Sequence, residues 1–79
     1  MRILVDTSAL VALFDRADGR HREAKTFLEG LPPVQRLTLS DYALDEALTH
    51  LRYRAGHHLA CALLDAVEAP APFKLVKTD

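Results

Sequence analysis

Ile3-Leu4-Val5-Asp6-Thr7-Ser8-Ala9-Leu10 is the stretch that decides the fold. Three consecutive apolar residues, two of them β-branched, show no alternation between faces. That pattern marks a buried central strand of a parallel sheet. The run stops at Asp6-Thr7-Ser8, short polar side chains that favour turns and helix starts, so Thr7 or Ser8 is expected to N-cap a helix over Ala9 to Phe14. Asp6 then stands at the carboxyl end of the strand, the edge where open α/β sheets bind their ligands.

Working outward, Ala24, Phe27, Leu28 and Leu31 recur at helical spacing and predict a second helix from Arg20 to Glu29, packed on one side and stopped by Gly30 and Pro32-Pro33. Val34 to Leu39 reads as a second strand, interrupted by Gln35 and Arg36. Ser40-Asp41 is an N-cap pair for a third helix reaching Arg54. Leu44, Ala47, Leu48 and Leu51 form its core stripe, while Tyr42, Glu46, Thr49 and Tyr53 share the opposite face, where the tyrosines are expected to shield Glu46 partly. Gly56 ends that helix. His57 to Glu68 predicts a fourth, with Leu59, Leu63, Ala66 and Val67 inward, closed by Pro70 and Pro72, and Phe73 to Lys77 alternates as a third, edge-like strand. Strand, two helices, strand, two helices, strand argues for an α/β fold with a parallel sheet.

Composition bounds the function. With 79 residues, 49% hydrophobic, 27% charged and a formal charge of −1, the chain exerts no global pull on nucleic acid. No uninterrupted apolar run exceeds six residues, far short of the roughly 20 of a membrane span. Asp6 interrupts any hydrophobic signal region, so a cytoplasmic location is expected. The single cysteine, Cys61, excludes an internal disulfide and reads as a small buried hydrophobe. Layered α/β domains usually need on the order of 100 to 150 residues, so a chain of this length is minimal, oligomeric or incomplete.

Two carboxylates carry the chemistry. Asp6 lies at the sheet's carboxyl edge, and Glu46 lies roughly 7 Å along the third helix from its start, where it can face the same crevice. Oxygen donors from separate segments at positive helix ends suit a hard cation such as Mg²⁺ or Mn²⁺, and phosphodiester hydrolysis is the natural reaction. The plainer readings are a helix cap for Asp6 and a solvated helix face for Glu46. Asp41 reads as a cap, Asp45 as a surface charge, and Asp15 and Asp18 as turn residues. His57-His58 has no Cys or His partner at ligand spacing and reads as a helix end. Arg52 and Arg54, with Arg20 and Arg22 elsewhere, can reach phosphates or simply face water.

Ile3 to Leu10, then Leu37-Thr38-Leu39-Ser40-Asp41-Tyr42-Ala43-Leu44-Asp45-Glu46, then Leu51-Arg52-Tyr53-Arg54-Ala55-Gly56 together resemble the first half of a PIN domain, nearest to the VapC-type toxin ribonucleases of bacterial and archaeal toxin-antitoxin pairs. The resemblance spans essentially the whole chain and implies that residues 1–79 are the N-terminal part of a single PIN-like domain. It implies a PIN-like three-layer α/β fold and a metal-dependent ribonuclease, with Asp6 and Glu46 as catalytic metal ligands and with Ser8, and less directly Thr7, supporting the first aspartate. It implies Mg²⁺ or Mn²⁺ as cofactor, RNA as substrate, an antitoxin that inserts a peptide into the acidic crevice, and a homodimer formed through helices between Gln35 and Val67. The family pattern puts its third and fourth acids further along. Asp79, at the end of the third strand, is a weaker candidate near the same edge.

Two rivals come from other classes. A catalytically inactive PIN relic would keep a dimerisation or antitoxin-binding surface, and absence of metal affinity would favour it. Aspartyl phosphotransfer with Asp6 as nucleophile expects either a second aspartate where Ser8 stands or an acidic pair ahead of the phosphoacceptor strand. The sequence has neither.

Overall fold

A computed structural model describes residues 3–76. The expected order is found: β1 (Ile3–Leu4), α1 (Thr7–Phe14), α2 (His21–Glu29), β2 (Leu37–Ser40), α3 (Asp41–Arg54), α4 (His57–Glu68) and β3 (Phe73–Val76). The strands form one parallel sheet in the order β1-β2-β3, in the register Ile3–Leu37–Phe73 and Leu4–Thr38–Lys74. Within it the central strand is β2, where Leu37, Thr38 and Leu39 are all buried. The expectation of a central, doubly buried first strand is therefore corrected for the described residues. Each crossover steps to the neighbouring position, which leaves the first strand outermost, and Leu4 is 74% exposed.

The second strand also starts later than Val34. Pro32 and Pro33 set up a turn in which the Gln35 amide donates to the Pro32 carbonyl at 3.0 Å, and the Arg36 guanidinium donates to the Pro33 carbonyl at 3.1 Å. Residues that spend their backbone groups in a turn cannot join the ladder, and Val34 stays exposed. The ladder begins where the Leu37 amide donates to the Pro72 carbonyl at 2.8 Å. The ends of β3 expected at Lys77 and Asp79 lie outside the described residues.

α3 is the central helix, packed against both α1 and α4. Its Leu44, Ala47 and Leu51 are buried as the periodicity predicts, and Leu51 joins Leu10, Leu37, Leu39 and Leu63 as the largest fully buried side chains. α2 packs against α1 and buries no residue completely. Phe27, expected to pack inward, is 56% exposed, because among the described residues α2 packs extensively against α1 alone and shelters only a narrow stripe. At the α3–α4 corner the amides of Ala55 and Gly56 both donate to the Leu51 carbonyl, at 2.8 and 2.9 Å. Gly56 achieves this at φ 104°, where a side chain is strained, and a Cβ there would meet the His58 ring at 3.3 Å. No helix among the described residues is long and apolar enough to cross a membrane.

Candidate active site

Asp6, rather than Thr7 or Ser8, caps α1. Its backbone is extended (φ −94°, ψ 175°), and its Oδ1 accepts from the Ala9 amide at 2.9 Å, so the helix starts two residues earlier than the sequence suggests. Aspartate is among the best N-caps, and its charge is favoured at the positive end of the helix. The cap engages one carboxylate oxygen and fixes the direction of the group. Asp6 remains exposed, so capping and cation binding are compatible uses of its two oxygens.

Asp6 and Ser8 line a groove of about 380 Å³ between α1 and α2. Its walls are mostly apolar, including Val5, Ala12, Leu13, Phe27 and Leu28, and Arg20 and Glu23 add charge as an exposed pair 3.9 Å apart. An exposed pair of this kind contributes little to stability. Thr7 turns elsewhere. Its hydroxyl donates to the Ala43 carbonyl at 3.5 Å, a long contact that links the start of α1 to the first turn of α3.

The first turn of α3 is fixed by Ser40, whose Oγ accepts from the Ala43 amide at 3.0 Å. Asp41 is thus a first-turn residue, and the cap expected from the pair falls on Ser40 alone. Glu46 sits three residues beyond Ala43 and is exposed. It lines a second, shallower depression with Asp45, Thr49, His50, Tyr53 and Arg54. The tyrosines do not shield it, since Tyr42 is 68% and Tyr53 86% exposed. They share its face as helical geometry requires, but no other element among the described residues covers that face. Tyr42, one turn before Glu46, hydrogen-bonds its carboxylate. That bond, reinforced by the carboxylate's charge, holds the phenol above its usual pKa.

The structure therefore brings the elements bearing Asp6 and Glu46 into contact, while the two side chains line different concavities. Carboxylate oxygens are the donors that Mg²⁺ and Mn²⁺ prefer. Among the described residues no group of three or more His, Cys, Asp or Glu side chains is placed to hold a metal ion. The donor type fits a hard cation, and the pair supplies part of a coordination set.

Two polar contacts escaped the sequence reading. His21 Nδ1 donates to the Ala12 carbonyl at 2.8 Å and ties the start of α2 to α1. Cys61 is half-buried rather than buried, with its Sγ 3.3 Å from His57 Nε2. The four-residue spacing of His57 and Cys61 on one helix was the signal available. Asp15 and Asp18 are turn residues as expected, accepting from the amides of Ala17 and Arg20 through Oδ1, and Asp15 is buried in doing so.

The family model of the PIN domain matches residues 3–79. The chain belongs to the PIN domain family. It is 42% identical over 60 residues to the 23S rRNA-specific endonuclease VapC20 from two strains of Mycobacterium tuberculosis. That alignment takes in 76% of this chain and 44% of the relative's length, so the chain spans less than half of the curated relatives it matches. The crystal structure of Mycobacterium tuberculosis VapC20, described as a sarcin-ricin loop cleaving toxin, superposes with a TM-score of 0.84 at 31% identity. It covers 98% of this chain and 57% of the VapC20 chain. PIN membership accounts for the parallel sheet with its paired helices.

Proposed function

We propose that the chain is the N-terminal part of a divalent-metal-dependent endoribonuclease, the toxin of a toxin-antitoxin pair, in which Asp6 and Glu46 are catalytic metal ligands. The observation that carries this reading is the close superposition on VapC20 over nearly the whole chain, combined with Asp6 and Glu46 on abutting helices that follow β1 and β2. Mg²⁺ or Mn²⁺, when bound, supplies Lewis-acid stabilisation of phosphodiester charge and acidifies a water.

The chain's own residues prepare that site. The Asp6 cap holds one carboxylate oxygen against the Ala9 amide, which orients the other without a flexible search. The amino end of α1 offsets the cost of bringing two carboxylates together. Tyr42 restrains Glu46 from one turn below. Ser8, beside Asp6 in the groove, supports the aspartate, and Thr7 holds α1 to α3 so that the acids keep their relative positions. Further acids, from beyond the described residues, complete the set.

RNA is the substrate on this reading, and a cognate antitoxin the protein partner. A peptide entering the acidic crevice would also cover the apolar wall of the α1–α2 groove, where Phe27 is otherwise open to water. A homodimer through elements between Gln35 and Val67 and a cytoplasmic location complete the proposal, and the single free cysteine is compatible with a reducing compartment. The test is cleavage of a mixed-sequence single-stranded RNA, with and without Mn²⁺, beside Asp6→Asn. Metal-dependent cleavage absent from the variant is expected. No cleavage above the variant would mean that this chain by itself is a fragment without its further acids or the inactive binding module.

A further inference from the structure

His57 and Cys61 on α4 play no part in the ribonuclease site. Cys61 Sγ lies 3.3 Å from His57 Nε2 across one helical turn, with His57 exposed and Cys61 half-buried. The dipeptide His57-His58 has no ligand partner in its immediate sequence, and the helix supplies one by bringing Cys61 beneath His57. Leu64, 38% exposed, and Glu68 continue the same side of α4, since residues 57, 61, 64 and 68 fall within one narrow arc. The stripe therefore carries an imidazole, a thiol and an open apolar side chain in succession.

A cysteine sulfur and a histidine nitrogen are the donors that Zn²⁺ takes. Bonds of about 2.3 Å to sulfur and about 2.0–2.1 Å to nitrogen, in tetrahedral arrangement, set the two donor atoms about 3.5 Å apart. The observed 3.3 Å is close to that separation, so the pair can take one ion with little rearrangement. The carboxylates of Asp6 and Glu46 suit harder cations instead.

Structural zinc sites hold four ligands, and this pair supplies two. Among the described residues no third His, Cys, Asp or Glu joins them. A second copy provides the other two at once, because a two-fold contact places the same patch on both sides of its axis. Two thiolates and two neutral imidazoles cancel the charge of the ion, which removes any conflict with the positive amino end of α4. A contact confined to α4, 12 residues and about 18 Å long, falls short of the about 800 Å² that each partner gives to an ordinary dimer. The ion, more than buried area, has to hold it.

We propose that His57 and Cys61 form half of a Cys₂His₂ zinc site that closes between two copies of the chain. The site is separate from the acids of the ribonuclease reading and does not depend on it. As each Cys61 sulfur takes the metal its thiol proton passes to solvent, so one ion releases two protons per pair of chains.

Co²⁺, whose absorption reports its ligands where Zn²⁺ is silent, is titrated into the full chain held reduced by a phosphine, and Zn²⁺ is then added in competition. Binding should saturate at one ion per two chains. It should bring the near-ultraviolet charge-transfer band of sulfur on Co²⁺ and the intense visible bands of a tetrahedral site, and Zn²⁺ should abolish both. The loaded species should sediment as a dimer. Cys61→Ser and His57→Gln should each weaken binding by more than the roughly 10–100-fold that loss of a merely supporting residue costs, since each removes two ligands from the assembled site. Neither change should move the metal-free denaturation midpoint by much. The band should persist when Asp6→Asn and Glu46→Gln are combined.

Saturation at one ion per chain, or a loaded species that sediments as a monomer, would overturn the shared site. Weak octahedral absorption without the sulfur band would do the same. A band unaffected by His57→Gln would show the thiol binding without its neighbour, and a band lost with Asp6 and Glu46 would place the ion at the acids. Both results contradict the proposal.

Discussion

Asp6 and Glu46 are held in opposite ways. Asp6 is fixed by backbone, since the residue that ends β1 is also the cap of α1, and a single hydrogen bond to the Ala9 amide sets its direction. Glu46 sits mid-helix on a face that nothing among the described residues packs against, and its restraint comes from another side chain, Tyr42. Beneath Glu46, on the buried side of the same helix, Ala47 and Leu51 are completely enclosed. One helix thus anchors the core with one stripe and presents a candidate site with the other. Stability and chemistry should separate cleanly when the two stripes are changed independently.

Leu51→Ala should show the largest effect on that division. Removing a fully buried leucine at the α1–α3–α4 contact should cost about 2–5 kcal/mol, read as a fall in the midpoint of denaturant unfolding. Glu46→Gln on the opposite stripe should stay within about 0.5 kcal/mol of the parent. Comparable losses from both would mean that the exposed stripe is structural.

A smaller effect distinguishes the two duties of Asp6. Asp6→Ala should cost about 1 kcal/mol through loss of the cap, whereas Asp6→Asn should retain nearly full stability because asparagine caps equally well. The same denaturation experiment reads both. If Asp6→Asn is as unstable as Asp6→Ala, the carboxylate charge rather than the cap holds the start of α1.

The smallest effect tests the Tyr42–Glu46 contact. In a Tyr53→Phe background the remaining phenol should titrate, by its phenolate absorbance, above the ordinary value, and Glu46→Gln should bring it down. The sign follows from tighter proton binding in the folded state. The contact's contribution is fully present below the unfolded phenol's pKa and is lost as pH rises through the folded one. A phenol indifferent to Glu46→Gln would show that the two side chains do not interact in solution.

Much of this was legible in the sequence because it depends on local chemistry. The apolar periodicity of Leu44, Ala47, Leu48 and Leu51 and the Ser40 cap placed α3, and the residues from His57 to Glu68 gave α4 to its ends. Asp6 was legible as a strand-end acid for the same reason. What the sequence concealed was set by tertiary context. Pro32-Pro33 turned Val34 out of the second strand, and the crossovers put β1 on the outside of the sheet. Phe27 fits its helical stripe yet lies exposed, because among the described residues only α1 packs extensively against α2. The openness of the Tyr42–Tyr53 face could not be read either, since a periodic stripe records which residues share a face and not whether another element covers it.

The pairing of Asp6 with Glu46 is best tested by adding Mn²⁺ at low stoichiometry to isotopically labelled protein and following paramagnetic broadening of its amide signals. Broadening should appear together near Asp6, including Ala9, and near Glu46, and should be lost from both regions in either Asp6→Asn or Glu46→Gln. Broadening confined to one of the two, or persisting around one acid after the other is neutralised, would contradict a shared metal site.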